Sequence, residues 1–252
     1  MDVCLVFPKE GNRRLFASST VLSNISPYWK TQLSTSGFNE ELIESLNLDD
    51  VDEEEGDSDY DSEFDSLSSP PSLSPMPPNV RTFPIYGTSY TTYKSLLCYL
   101  YTSQLSFAPL TSSFASSSKR QESLSLLISL SPSSRSLTPC SPKSLYILSH
   151  FLSITSLTEL SLKAYVDALN PTNIFEELFS TFVERYEQVR EAVVAWVLEE
   201  GKARWDVLRR SEGMREWKER IRSEGVSEGE LEVLLRLSGI AEGSTTGTGE
   251  EK

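Results

Sequence analysis

A chain of 252 residues is long enough for one large domain or two small ones, and an apolar share of 38%, below the globular average, implies that part of it does not fold. The net charge of −14 sits mostly in one place. Residues 49–65, DDVDEEEGDSDYDSEFD, hold eleven carboxylates and no base, and removing those eleven charges from −14 leaves −3. The remainder therefore offers no basic face for nucleic acid. Cys4, Cys98 and Cys140 are widely spaced with no Cys-x-x-Cys pair, which fits a reducing compartment. No charged-then-apolar leader opens the chain, and no apolar run approaches the ~18 residues a membrane span needs. The expected location is the cytoplasm or the nucleus.

In chain order, Asp2-Val-Cys-Leu-Val-Phe7 is apolar on both alternating faces, as in a strand covered on both sides. Pro8 stops it, Gly11-Asn12 supplies a turn and Arg14-Leu-Phe-Ala17 returns, which predicts a hairpin. Ser18 or Ser19 is placed to cap a short helix that turns Val21, Leu22 and Ile25 inward. Ser26-Pro27 opens a second helix, with Ser as N-cap and Pro at the first helical position, where its missing N–H costs nothing. Tyr28, Trp29 and Leu33 share a face of that helix, and Gly37 ends it.

Residues 49–79 are expected to be a disordered insert, first acidic and then Ser/Pro-rich. Order resumes at Val80–Ile85, a strand that Pro84 confines to an edge or an end. A helix over Tyr90–Tyr101 follows, with Tyr93, Leu96, Leu97 and Leu100 on one side. A Ser-rich insert, 111–139, is expected to be soft, with at most a transient helical turn at 124–128. Ser141-Pro142 opens another helix to about Ile154. Ser156-Leu-Thr-Glu159 and Asn173-Ile-Phe-Glu176 both have capping-box spacing. The second introduces one long helical pattern in which Leu178, Phe182, Tyr186, Val189, Val193 and Val197 form a seam. Further helical patterns carry Trp205, Leu208, Trp217 and Ile221, then Leu231–Leu237. The expectation is a domain over 1–169 interrupted twice, a helical extension over 170–238, and a disordered tail over 239–252. A small sheet wrapped by helices is an α+β arrangement.

Asp2-Val, Leu15-Phe-Ala-Ser-Ser-Thr-Val-Leu22, Ser26-Pro-Tyr-Trp29, Gly37-Phe-Asn-Glu40, Tyr93-x-x-Leu-Leu-x-Tyr-Leu-Tyr-Thr102 and Ser141-Pro-Lys-Ser-Leu-Tyr146, in that order, resemble a BTB (POZ) domain. The likeness is to the BTB proteins of basidiomycete fungi, and it covers about residues 1–48, 80–110 and 139–200. Ser18 stands where the family usually has a His, and Ser103 where a Gly often ends the third helix. The resemblance implies a BTB fold, self-association, and in many members recruitment of a cullin scaffold of ubiquitin ligases. It implies that Phe38 and Glu40 match the apolar-x-Glu cullin motif, with the ring filling a pocket and the carboxylate fixing register. The alternative for Phe38 is local packing on Leu42. The resemblance places the dimer surface on the hairpin and first helix, with Val3, Leu5, Val21, Leu22 and Ile25 as candidates.

Nothing in the sequence suggests catalysis. The one histidine, His150, has no Gly-x-Ser-x-Gly elbow or cysteine motif to serve. Three scattered Cys with that His lack ligand spacing for a metal. No glycine-rich phosphate loop is present, so no cofactor is expected. The acidic insert repeats Asp57-Ser-Asp-Tyr60 and Asp61-Ser-Glu-Phe64; Ser58 and Ser62 each have Asp three residues on, the spacing an acid-directed kinase reads. The sequence therefore predicts a non-catalytic interaction protein without direct nucleic-acid, membrane or small-molecule partners, and the resemblance implies that it pairs with itself and can serve as a cullin adaptor. A transcriptional or chromatin-associated regulator that recruits through its acidic insert is the alternative.

Overall fold

The structure, a computed structural model, describes residues 1–34, 79–114, 116–130 and 138–197, together with Arg215, Glu219 and Ser223. It is mixed α+β. The chain divides into two compact units, residues 1–168 and 169–252.

In the first unit, strand β1 (Val3–Phe7) turns through a 3-10 segment at Pro8–Glu10 into β2 (Arg13–Ala17). Gly11 and Asn12 both take positive φ, 68° and 59°, the left-handed geometry for which glycine and asparagine suit a tight turn. β3 (Arg81–Pro84) runs parallel to β1 on its other side, giving the order β2-β1-β3. Pro84 is the last residue of an edge strand, where its missing N–H leaves no ladder partner unsatisfied. Val3, Leu5 and Phe7 point into the core, while Cys4 is buried on the opposite face, and burial pushes its thiol pKa up.

Helices α1 (Ser19–Ile25) and α2 (Pro27–Ser34) pack on each other after the hairpin. Trp29 is fully buried, edge-on to Phe83 of β3, and Tyr28 lies beside it against Phe151. Burial pushes the Tyr28 hydroxyl up to about 12. Helix α3 (Tyr90–Thr102) lies against β2, and its Tyr93, Leu96 and Leu97 are buried, as the apolar stripe predicts. Its start is held twice: Ser89 Oγ accepts the Thr92 N–H at 3.1 Å and Glu10 Oε1 accepts the Tyr90 N–H at 2.7 Å. Its end is Ser103, at φ 57° with its N–H on Tyr99 O. Helices α5 (Pro142–Phe151) and α6 (Thr155–Asp167) pack together over a buried hydroxyl seam, in which Thr158 Oγ1 donates to Ser149 Oγ and Ser161 Oγ to Leu157 O.

Two expectations about this unit are corrected. Residues 117–130, read as part of a soft insert, form helix α4 (Ser117–Leu130). Lys119-Arg-Gln-Glu122 are good helix formers, and Leu124 is buried and anchors them. The excursion is also pinned at both ends, since Ala108 N–H donates to Cys140 O and Cys140 N–H to Ser106 O. The Ser156 capping box does not form: α6 begins at Thr155, inside a turn made by Ser153 at φ 57°, and the Ile154 carbonyl takes the Leu157 and Thr158 N–H groups.

In the second unit, the single long helix is broken into α7 (Ile174–Leu178), α8 (Thr181–Arg185) and a helical stretch over residues 187–197. Ser180 causes the first break. Its hydroxyl donates to Glu177 O, ending α7, and accepts the Val183 N–H, starting α8. Asn173 does not cap α7 with its side chain; its Oδ1 accepts the Asn170 N–H instead. Phe182, Val189, Val193 and Val197 are buried all the same.

Candidate interaction surface

The corner where β2, α1 and α3 meet is built from residues far apart in sequence. Ser18, the residue before α1, makes no side-chain cap. Its N–H donates to the Tyr101 hydroxyl at 2.8 Å, which fastens the last turn of α3 to the end of β2. The next N–H, of Ser19, donates to Asp2 Oδ1 at 2.9 Å, and the Ser19 hydroxyl donates to Asp2 Oδ2. Hydrogen bonds from the Ser19 hydroxyl and then its amide hold the Asp2 carboxyl below the usual carboxylate range. The start of β1 therefore supplies the acceptor that Ser18 or Ser19 was expected to supply.

Three large apolar side chains on the joined segments are exposed: Phe16 at 37%, Tyr101 at 44% and Met1 at 78%. Phe16 lies opposite Cys4 across the hairpin, so it shares the sheet face turned away from the main core. Val21, at the start of α1, is half-buried. Single exposed apolar residues need no explanation, but three on segments that hydrogen bonds fasten together mark a candidate contact surface. Aromatics are also the commonest interface anchors.

No protein-family model matches the chain, and no curated protein matches it. Of the candidates for a dimer surface, Val3, Leu5 and Leu22 are fully buried in the core and leave nothing for a partner; Val21 and Ile25 remain half-buried. The reason is the period of each element, two along β1 and about 3.6 along α1, which turns those three side chains into the cluster that also holds Trp29, Phe83 and Leu96. Phe38 and Glu40 lie outside the described residues, as do Ser58 and Ser62.

Phe16 and Tyr101 were not singled out from sequence. The signal for Phe16 was present: if Leu15 pairs inward with Leu5, Phe16 must face outward. Tyr101, four residues after Leu97 and eight after Tyr93, lies at the edge of the apolar stripe, so the spacing alone does not point it outward. His150 is exposed and stacks on Tyr146, with ring centroids 6.0 Å apart. Among the described residues, no group of three His, Cys, Asp or Glu is placed to hold a metal ion, and no helix is long and apolar enough to cross a membrane.

Proposed function

We propose that this chain is a non-catalytic protein-interaction module of the BTB (POZ) type that associates with itself. The observation that carries the reading is the exposure of Phe16, Tyr101 and Met1 on segments that the Asp2–Ser19 and Ser18–Tyr101 bonds fasten together. A surface held this rigidly loses little conformational freedom when a partner covers it. The element order supports the BTB type: a hairpin, two short helices, a third strand parallel to the first, then α3 and the α5–α6 pair. The cullin-adaptor role belongs to the same proposal at a second surface and rests on Phe38 and Glu40 in sequence. Mixing the chain with a cullin N-terminal domain, with and without Phe38→Ala, tests it separately.

Sedimentation equilibrium over a hundredfold dilution tests self-association. The expected result is a dimer that dissociates on dilution, with Phe16→Ser shifting the equilibrium toward monomer. A chain that stays monomeric at every concentration overturns the reading.

A further inference from the structure

We infer that the partner at this corner is a second copy of the chain, joined along the outer edge of β2 so that two three-stranded sheets become one of six. The inference rests on the self-association proposed above and specifies its geometry. β2 is an edge: the sheet order is β2-β1-β3, and among the described residues only β1 pairs with it. An edge strand presents alternate N–H and C=O groups that a further strand can pair. The opposite edge is blunted, because β3 ends at Pro84, whereas β2, Arg13-Arg-Leu-Phe-Ala17, has no proline.

The side chains of β2 select one register. Residues directly opposite in an antiparallel pair share a sheet face, so a two-fold axis between two copies must pass through a residue. An axis at Leu15 sets Arg14 opposite the second copy's Phe16, Leu15 opposite Leu15, and Arg13 opposite Ala17. Arg14 and Phe16 lie on the same face, opposite Val6 and Cys4 of β1. A guanidinium therefore meets the exposed Phe16 ring, and symmetry makes that cation–π contact twice. An axis at Arg14 would instead set like charges opposite each other. An axis at Phe16 would draw in Ser18, whose N–H is already taken by Tyr101 as the chain turns into α1. The Leu15 register alone separates the arginines and covers the ring with a cation.

Single-cysteine variants of the full chain test the register. In a Cys4→Val, Cys98→Ser background, which removes the cysteine directly opposite Phe16 in the same hairpin and the one cysteine that is not buried, Arg14→Cys and Phe16→Cys are prepared separately and then mixed under mild oxidation. The mixture should give several-fold more disulfide-linked dimer than either variant alone. In parallel, Arg14→Ala or Phe16→Ala should weaken association about tenfold. Exchanging the pair, Arg14→Phe with Phe16→Arg, should restore most of it. If the chain dimerises but mixing gives no excess of crosslink, or the exchange rescues nothing, the β2 edge is not the junction and only this inference falls. If the chain is monomeric at every concentration, the self-association reading falls with it.

Discussion

Ser18 and Ser26 stand at the same place relative to their helices, one residue before α1 and one before α2, yet they do different work. Ser26 caps its own helix, accepting the Trp29 N–H at 3.4 Å, and its hydroxyl also donates to Leu152 O at 2.7 Å in the buried core. Ser18 caps nothing; the N–H groups at the start of α1 go to Tyr101 and Asp2, eighty-three and seventeen residues away. The Ser26 junction is buried and its own side chain supplies the cap, whereas the Ser18 junction is exposed and takes its acceptors from other segments. A serine before a helix is thus a signal whose meaning depends on what the fold brings within reach of it. Where a carboxylate and a phenol arrive from elsewhere, the serine side chain is left over.

The sharpest way to break that contrast is at Ser26. Ser26→Ala removes a cap and leaves Leu152 O unpaired in the core, and should cost about 2 kcal/mol in urea unfolding. A cost under ~0.5 kcal/mol would mean that the two junctions do not differ. Asp2→Ala should cost less, about 0.5–1 kcal/mol, since the carboxylate is exposed. This loss depends on pH with a definite sign. The Asp2 carboxyl is held below its ordinary value, so its contribution is present above the unfolded-state pKa, about 3.9. It is lost as pH falls through the lower folded-state value. The gap between wild type and Asp2→Asn should therefore be constant from pH 7 to 5 and close in strong acid; a gap that widens in acid would contradict the assignment.

An effect of similar size and opposite sign is expected at the far end of α3. Ser103 holds φ 57° without being glycine, and Ser103→Gly should raise stability by about 0.5–1 kcal/mol in thermal unfolding. No gain would mean that the serine side chain offsets its own strain. The smallest change is expected from Ser18→Ala, within ~0.3 kcal/mol of wild type, because its side chain caps nothing. A loss near 1 kcal/mol there would restore Ser18 as the cap.

How legible these features were follows the same division. The hairpin, the edge position of Pro84, the Ser-Pro starts of α2 and α5 and the Tyr93–Leu96–Leu97 stripe all rest on spacings of four residues or fewer, and the structure reproduces them. Asp2 as the acceptor for α1 was not legible, because it needs β1 and β2 to be paired first. The break at Ser180 was hidden by an apolar period that continues straight through it; only the two hydrogen bonds of that one hydroxyl show why the helix ends. Helix α4 was missed because serine-rich composition outweighed its central run of helix formers. The surface at Phe16 and Tyr101 was half legible. Alternation along β2 points Phe16 outward, but Tyr101 continues the edge of the apolar stripe, and its place beside Ser18 depends on α3 crossing to β2.

The most direct test of the central claim is amide hydrogen exchange of the full chain, followed at high concentration and again after a hundredfold dilution. The account predicts that protection of residues 13–17 and 99–102 rises with concentration while that of α5 and α6 stays constant. Protection at β2 that is independent of concentration, in a sample whose mass shows a dimer, would place the contact elsewhere and contradict it.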